Sequence, residues 1–207
     1  MPGLILLGAG GHAHACIDVI EQHGHYAIAG LVGMPEEVKS ERLGYLVIAS
    51  DSDLPEIAKS YRYGLVTVGQ IRSPENRIRL YQLAVELGFQ LPAIVSPLAY
   101  VSPHAVIGAG TIVMHGAIVN AGAMVGDNCI INTKALVEHD ATIENHCHIS
   151  TGAIVNGGVR VGAGSFVGSG SKIKEGVTIG RSCVVGMGLT VHYDQPEGSL
   201  VVGTRKP

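Results

Sequence analysis

The sequence has few aromatic and few charged residues. Aromatic side chains make up 4 % of the 207 residues, Trp is absent, and charged residues make up 15 % with a formal net charge of −3. A protein that binds nucleic acid needs Lys and Arg clustered in a basic patch. No such patch is present, so we expect no nucleic-acid partner.

Long apolar runs and paired cysteines are also missing. No run approaches the ~20 apolar residues that span a bilayer, and the N-terminal MPGLILLGAGG has no basic segment of the kind that opens a signal peptide. The cysteines, at positions 16, 129, 147 and 183, form no CxxC pair and are too sparse for a disulfide scaffold. We therefore expect a cytoplasmic protein with no membrane partner.

Glycine, in contrast, is abundant. The chain has 29 glycines, yet 46 % of its residues are hydrophobic. Such a hydrophobic fraction argues against disorder, so the glycines indicate many tight turns in a packed protein.

A period of six runs through the second half of the chain. From Val95 to Val191 every sixth residue is Val or Ile, and the residue four places after each is mostly small. The position directly after the Val or Ile is often Gly, Asn or Ser, as at residues 108, 120, 126, 132, 150, 156 and 162. We interpret each hexad as a short strand with an inward β-branched residue, followed by a turn in which Gly or Asn adopts unusual dihedrals.

Three hexads close one triangular coil, and successive coils pair as parallel strands. Residues 95–196 would make about 5.7 coils and a prism roughly 27 Å tall. The period therefore predicts a hexapeptide-repeat parallel β-helix for the domain 95–207, in which Cys129, Cys147 and Cys183 fill small inward positions.

Residues 1–94 show strand–helix alternation instead. We predict strands at 4–7, 26–32 and 65–69, a helix from the glycine loop to about Gly24, a short helix capped by Asp53, and a helix over 73–88 with Ser73 as its N-cap. This order is typical of a small parallel α/β sheet, so we predict a Rossmann-like domain over 1–94.

The first predicted strand ends in the glycine loop GAGGHAHA. Gly8, Gly10 and Ala13 satisfy a loose G-x-G-x-x-A, and backbone N–H groups at a helix N-terminus can face a phosphate. A dinucleotide site would also need an acidic residue at the end of the second strand, where Val32 and Gly33 stand. We therefore favour a nucleotide-linked ligand over NAD or FAD, with a purely structural turn as the alternative.

Titratable residues concentrate in ALVEHDATIENHCHIST (135–151). His146 and His148 have the His-x-His spacing of a metal site, but they flank inward Cys147 and should point outward with no further ligand near in sequence. We expect no metal. A neutral imidazole in this stretch can instead act as a general base with its tautomer fixed by a carboxylate, unless the group is merely a solvated surface.

Taken together, GAGGH, VGQ…R and N-T-x-x-x-V-E-H-D on an unbroken hexad array resemble one family across the whole chain. It is the NeuD/PglD-like family of sialic-acid O-acetyltransferases and UDP-4-amino-sugar N-acetyltransferases of bacterial surface-glycan synthesis. The resemblance implies a left-handed β-helix, a homotrimer, and acetyl-CoA bound in the groove between neighbouring β-helices.

The resemblance also implies roles for individual residues. His139 matches the general base and Asp140 the acid that orients it. The other matches are Asn132, His148 and Gly157 near acetyl-CoA, and Gly8, Gly10, Gly11, His12, Gly69 and Gln70 near the nucleotide-linked sugar. Family members often carry Asp-Asp after the second strand and this chain does not, which puts recognition of the base and ribose in doubt.

We therefore predict an acetyl-CoA-dependent N-acetyltransferase that acts on the 4-amino group of a nucleotide-linked amino-deoxy sugar. Because no cysteine is placed to form an acetyl-enzyme, we expect direct transfer with His139 as the base. Three alternatives stay open: O-acetylation of sialic acid or a relative, a γ-carbonic-anhydrase-like metalloenzyme, and a non-catalytic sugar-nucleotide scaffold.

Overall fold

A computed structural model describes residues 1–203; residues 204–207, the end of the predicted 95–207 domain, lie outside the described part of the chain. The first part is a β-sheet with flanking helices. Its elements are β1 (Gly3–Leu7), α1 (Gly11–His23), β2 (Ala27–Gly33), β3 (Glu41–Arg42), β4 (Tyr45–Ser50), α2 (Leu54–Ser60), β5 (Tyr63–Val66) and α3 (Glu75–Glu86), with 3₁₀ turns at Pro35–Glu37 and Asp51–Asp53. The last helix begins two residues later than predicted, with Pro74 rather than Ser73 at its N-cap.

The sheet has the strand order β3-β4-β2-β1-β5. All pairs are parallel except β3–β4. The chain leaves β1 toward β2 and β4 and later returns to the other side of β1 as β5, so strand order reverses between β1 and β5. Ligands of open α/β sheets bind outside the carboxyl ends of the strands at such a reversal.

Three local predictions for this domain need correction. β4 and its short antiparallel partner were not predicted, although YLVIAS is apolar enough for a buried strand. β5 covers residues 63–66 rather than 65–69, because its pairing with β1 ends at Leu7 and Val66, where β1 itself ends. Asp53 does not cap α2 with its side chain; its carboxylate accepts hydrogen bonds from the N–H and hydroxyl of Ser50 instead.

The second part is the predicted β-helix, and it is left-handed. Its strands are two residues each, and they form three parallel sheets that are the faces of a triangular prism. Face one consists of β6 (Ile94–Val95), β9 (Ile112–Val113), β12 (Ile130–Ile131), β15 (His148–Ile149), β18 (Phe166–Val167), β21 (Val184–Val185) and β23 (Leu200–Val201). Face two consists of β7 (Tyr100–Val101), β10 (Ile118–Val119), β13 (Leu136–Val137), β16 (Ile154–Val155), β19 (Lys172–Ile173) and β22 (Thr190–Val191). Face three consists of β8 (Val106–Ile107), β11 (Met124–Val125), β14 (Thr142–Ile143), β17 (Arg160–Val161) and β20 (Thr178–Ile179).

The hexad residues occupy the prism interior as predicted. From Val113 to Val191 every sixth residue is buried, and Cys129, Cys147 and Cys183 are buried among them. The predicted turn position is wrong, however. Left-handed backbone falls three residues after the inward one, as at Gly110 (φ 66°), whereas Gly108 is needed because a Cβ there would lie 2.4 Å from the backbone of the next coil.

The N-terminal domain packs on face one. Outward side chains of face one, including Ile112 and Ile130, are fully buried in a cluster with Ile17 and Ile20 of α1. The first strand of the β-helix, β6, begins at Ile94 and pairs with β9. The division of the chain into domains 1–94 and 95–207 stays a prediction. Over residues 1–203, the longest helices fall short of what a membrane span requires.

Candidate active site

His139 and Asp140 lie together on the corner between faces two and three. They occupy the turn between β13 and β14, and His139 Nδ1 lies 2.9 Å from Asp140 Oδ2. A carboxylate only accepts hydrogen bonds, so Nδ1 donates and Nε2 keeps its lone pair. The arrangement can therefore present a basic nitrogen to a proton donor in solution or in a bound substrate.

Two glycines in the adjacent coils make room for this pair. An ideal Cβ on Gly157 would lie 2.7 Å from His139 Nε2, and one on Gly122 would lie 2.4 Å from Asp140 Oδ1. Asp140 itself has a left-handed φ of 58°, which Asp tolerates better than most residues. Gly157 thus lies against the base, and Gly122 belongs to the same arrangement although the sequence reasoning did not single it out.

The carboxylate changes the basicity of the imidazole. The hydrogen bond that Nδ1 donates to Asp140, together with the negative charge of this carboxylate, raises the pKa of His139 above its usual value, and Glu138 acts in the same direction. A raised pKa means that the imidazole stays protonated to higher pH, and only its neutral form can accept a proton. Base catalysis by His139 should therefore rise with pH through a pKa above ~6.5 and then level off.

Asp140→Asn should move that ascending limb of kcat to lower pH. The amide removes the charge that raises the pKa of His139, and the plateau rate should fall because the imidazole tautomer is no longer fixed. A pH–rate profile of both proteins checks this. Glu56→Gln, an exposed carboxylate on α2 paired with Lys59, is a control that should leave the profile unchanged; an unshifted limb in Asp140→Asn would mean that another group controls it.

Asn132 and His148 lie elsewhere, on the side of face one. His148 is 6 % exposed because the N-terminal domain covers it. Its Nδ1 donates to the carbonyl of Gln70 (2.8 Å), and its Nε2 accepts from the amide of Asn132 (3.0 Å). His148 does point away from the prism interior, as expected, but it is buried in the contact between the domains.

His12 lies beside this group, with its ring centroid 6.3 Å from that of His148. Burial, assisted by the nearby Arg77, lowers the pKa of His12 to about 3 and that of His148 to about 4. Both imidazoles are therefore neutral at pH 7. Among the described residues His12 Nε2 has no hydrogen-bond partner although it is buried, and the same is true of Gln70 Oε1.

The glycine loop lies at the carboxyl end of β1, beside the strand-order reversal. Gly8 has φ 127°, and a Cβ there would lie 2.5 Å from the side chain of Val68, so this position needs glycine. A Cβ on Gly10 or Gly11 would meet nothing within 4 Å, and Gly11 begins α1. The open space at the helix N-terminus is where an anion such as a phosphate would be stabilised.

The predicted site residues thus fall into two groups in one chain. The loop group consists of Gly8, Gly10, Gly11, His12, Gly69, Gln70, Asn132 and His148, and the corner group consists of His139, Asp140 and Gly157. A prism side of about five extended residues is roughly 16 Å long. The corner that carries His139 is opposite face one and therefore roughly 14 Å from it, outside the reach of the chain's own loop.

The sequence reasoning missed the residues at the outer end of the loop cleft. Asp51, Asn76 and Arg79 line a cavity of about 250 Å³ together with Gly8 and Gly10. Asp51 follows a strand that was not predicted, and Arg79 lies on the exposed side of α3. Recognition of β4 would have placed Asp51 at a strand carboxyl end and identified it as a candidate.

Within residues 1–203, His, Cys, Asp and Glu side chains nowhere form a group of three that could hold a metal ion.

Family models match both parts of the chain. The PglD N-terminal domain matches residues 3–82, the bacterial transferase hexapeptide (six repeats) matches residues 140–175, and the hexapeptide repeat of succinyl-transferase matches residues 158–193. No curated protein sequence matches the chain significantly.

Solved structures match nearly the full length. Perosamine N-acetyltransferase from Caulobacter crescentus, solved with CoA and GDP-perosamine as a variant with one histidine replaced by asparagine, is 33 % identical over 95 % of this chain and 91 % of its own, with a TM-score of 0.90. The acetyltransferase domain of PglB from Neisseria gonorrhoeae, solved with acetyl coenzyme A, is 32 % identical over 95 % of this chain and 93 % of its own, with a TM-score of 0.85. WeeI from Acinetobacter baumannii AYE, 20 % identical over 96 % of this chain and 95 % of its own with a TM-score of 0.83, shares the fold.

The PglD N-terminal domain match precedes the hexapeptide-repeat matches along this chain, and the structural matches cover nearly all of it. Together they confirm the fold class and the resemblance inferred from the sequence. The chain belongs to the NeuD/PglD-like family of acetyl-CoA-dependent sugar acetyltransferases.

Proposed function

We propose that this protein transfers an acetyl group from acetyl-CoA to the 4-amino group of a nucleotide-linked amino-deoxy sugar, in active sites that two neighbouring copies of the chain share. The observation that carries the proposal is the exposed His139–Asp140 pair with its free Nε2 beside Gly157. The structural relatives with GDP-perosamine and CoA bound support the substrate class.

In this mechanism His139 acts as the general base. Nε2 removes a proton from the sugar ammonium or from the attacking amine, and the amine nitrogen attacks the thioester carbonyl directly. The thiolate of CoA leaves, and the proton that His139 holds returns to it. Asp140 keeps Nδ1 protonated and stabilises the imidazolium that forms. General base catalysis by His139 should contribute about 10²–10⁴-fold to the rate.

Direct transfer is favoured because no described thiol is available as an acetyl carrier. All four cysteines are buried. Burial raises the pKa of Cys16 to about 12, so its thiolate is scarce at pH 7. An acetyl-enzyme on sulfur would need an exposed thiolate, and positioning of amine and thioester in one ternary complex supplies the alternative.

We place acetyl-CoA along the corner that carries His139. The backbone stacks Gly157 one coil beyond His139 and the turn of Lys174 one coil further, through the hydrogen bonds Gly158 N→His139 O and Gly176 N→Gly157 O. Lys174 and its neighbour on face two, Lys172, are exposed. Two coils are about 10 Å, so Lys172 and Lys174 lie near the corner on the carboxyl-terminal side of the base, next to the exposed carboxylate of Glu175. We propose that these two ammonium groups stabilise the phosphates of CoA.

A second copy is needed to complete the site. The loop group and His139 are too far apart in one chain, whereas a neighbouring prism can bring its corner to the loop. Faces two and three also expose apolar side chains that a partner would cover, among them Tyr100, Val106 and Met124, each more than half exposed. Head-to-tail contacts form a ring where the rotation closes. The family resemblance implies three subunits, so we propose a homotrimer with acetyl-CoA between subunits.

Mixed oligomers test the shared site. Gly11→Val should block the loop without strain, because a side chain there projects into open space, and His139→Ala removes the base. Each variant alone should be nearly inactive. Coexpressed in equal amounts with different tags and purified as mixed trimers, they should regain about a third of the wild-type rate, since one of the three sites in every mixed trimer would pair an intact loop with an intact base.

The rate is measured as CoA thiol release with nucleotide-linked 4-amino sugars, and free sialic acids serve as the competing substrate class. A mixture of the two variants purified separately and assayed at once, without subunit exchange, is the control and should stay inactive. Mixed oligomers that remain inactive would contradict the shared site. Faster release with sialic acids than with amino sugars would contradict N-acetylation.

A further inference from the structure

One cleft runs from the glycine loop to a charged pair at the outer end of the sheet. Gly8 and Gly10 line it at one end, and Asp51, Asn76 and Arg79 line it at the other. A neighbouring cavity of about 500 Å³ is lined by the same three polar residues with Ser50 and Ser52. A nucleotide with its diphosphate at the α1 N-terminus would therefore have its base near Asp51 and Arg79.

The usual acidic position at the end of β2 is not available for this task. Val32 and Gly33 stand at that strand end, and the carboxylate after this strand that lines the cleft, Glu37, is already occupied. Its Oε2 accepts from the N–H of Met34 (2.9 Å), and its Oε1 pairs with Arg42 (2.8 Å). Glu37 therefore fixes the edge of the cleft and has little capacity left for a ligand.

The carboxylate of Asp51, in contrast, can accept hydrogen bonds from a ligand. Arg79 uses a single nitrogen, Nη2, to contact Asp51 Oδ2 (2.6 Å) and Asn76 Oδ1 (3.0 Å). This leaves Oδ1 of Asp51 and the second lone pair of Oδ2 as acceptors, with Nε and Nη1 of Arg79 and the amide nitrogen of Asn76 as donors. The side chains of Asp51 and Arg79 are 36 % and 53 % exposed, so a ligand can reach them.

These groups match guanine better than uracil, thymine or adenine. Guanine places two N–H donors, N1 and N2, beside each other for a carboxylate and offers O6 and N7 as adjacent acceptors for Arg. Uracil and thymine have one N–H between two carbonyl oxygens, and these oxygens would face the second oxygen of a carboxylate. Adenine has a single exocyclic amine and no O6.

We propose that Asp51 and Arg79 select a guanine nucleotide, so that the acceptor sugar is carried on GDP. The inference rests on the proposed function, because it places the diphosphate at the glycine loop. The proposal also explains why β2 does not end in an acidic residue: the carboxylate that binds the base, Asp51, follows β4 instead.

Binding of nucleoside diphosphates to the intact protein tests the proposal. Isothermal titration with GDP, UDP, dTDP and ADP should show GDP binding at least about 10-fold more tightly than the other three. Asp51→Asn should weaken GDP by about 10-fold or more and leave UDP within about 2-fold, because the amide presents a donor where guanine also presents donors. Arg79→Gln should weaken GDP in the same selective way.

Glu56→Gln is the matched control, an exposed carboxylate-to-amide change on α2 outside the cleft, and should leave all four affinities unchanged. Equal affinity for GDP and UDP, or an Asp51→Asn variant with unchanged preference, overturns the base assignment while the diphosphate site at the loop stands. If none of the four nucleotides binds, the base assignment and the proposed function are both overturned. If Asp51→Asn or Arg79→Gln weakens the binding of GDP and UDP equally, the substitution has disturbed the whole cleft, and the base assignment is overturned.

Discussion

His139→Ala should lower kcat by about 10²–10⁴-fold, the range of a lost general base. His139→Asn should do the same, since an amide fills part of the space but cannot accept the proton. The fold should be little affected, because His139 is an exposed corner residue whose side chain contacts Asp140 and lies over Gly157. The measurement is CoA release at saturating concentrations of both substrates, together with the thermal midpoint of unfolding.

The pH profile separates a lost base from a disturbed site. In the wild type kcat should rise through the raised pKa of His139 and level off, whereas the variants should lose that limb and keep only the titration of the amine itself. His25→Ala, an imidazole in the turn after α1, is the control and should leave both rate and profile unchanged. A His139→Ala enzyme within a few-fold of the wild-type rate would show that the base lies elsewhere.

The β-helix could be predicted from the sequence because its contacts repeat. Each inward Val or Ile meets the residues one coil away, so one pattern of six encodes every core contact, and Val95 to Val191 follow it without interruption. The neighbours His139 and Asp140 could be paired for a similar reason, since adjacent residues in a turn are within reach of each other. The 18-residue coil aligns Gly122 with Asp140, but Gly122 was missed because the need for glycine there depends on where the Asp140 carboxylate lies.

The contact between the domains could not be predicted, because nothing in the repeat tells which face is covered. His148 is an outward residue like Lys172 or Thr178, yet it is buried because face one carries the N-terminal domain. Its partner, the carbonyl of Gln70, lies 78 positions away in the sequence. Contacts of this kind have no period and involve backbone atoms that any residue supplies.

Arg77 is the other residue of this contact that the sequence did not single out. It lies in the first turn of α3 but is only 1 % exposed. Its Nη1 donates to the carbonyls of Val66 and Val68, and its Nη2 donates to the carbonyl and side-chain oxygens of Asn128 on the β-helix, at 2.9 and 2.8 Å. Burial lowers the pKa of Arg77 only to about 10, so it stays charged at pH 7.

Arg77→Met should destabilise the protein by about 3 kcal/mol, because it leaves buried carbonyl oxygens at the domain contact without donors. In a protein of this size that loss corresponds to a fall in the thermal midpoint of about 6–12 °C, measured by circular dichroism at one fixed protein concentration. Arg77→Lys should recover part of the loss, since an ammonium carries the charge but cannot bridge both domains with a planar fork.

Arg79→Met is the matched control, on the same helix two residues further on, where the side chain is half exposed and its ion pair with Asp51 is worth little to stability. Its thermal midpoint should stay within about 2 °C of the wild type. Equal midpoints for Arg77→Met and Arg79→Met would show that the buried guanidinium does not hold the domains together. A fall confined to Arg77→Met would mean that one buried cation stabilises the contact between the β-helix and the loop after β5, whose Val68 carbonyl Arg77 also contacts.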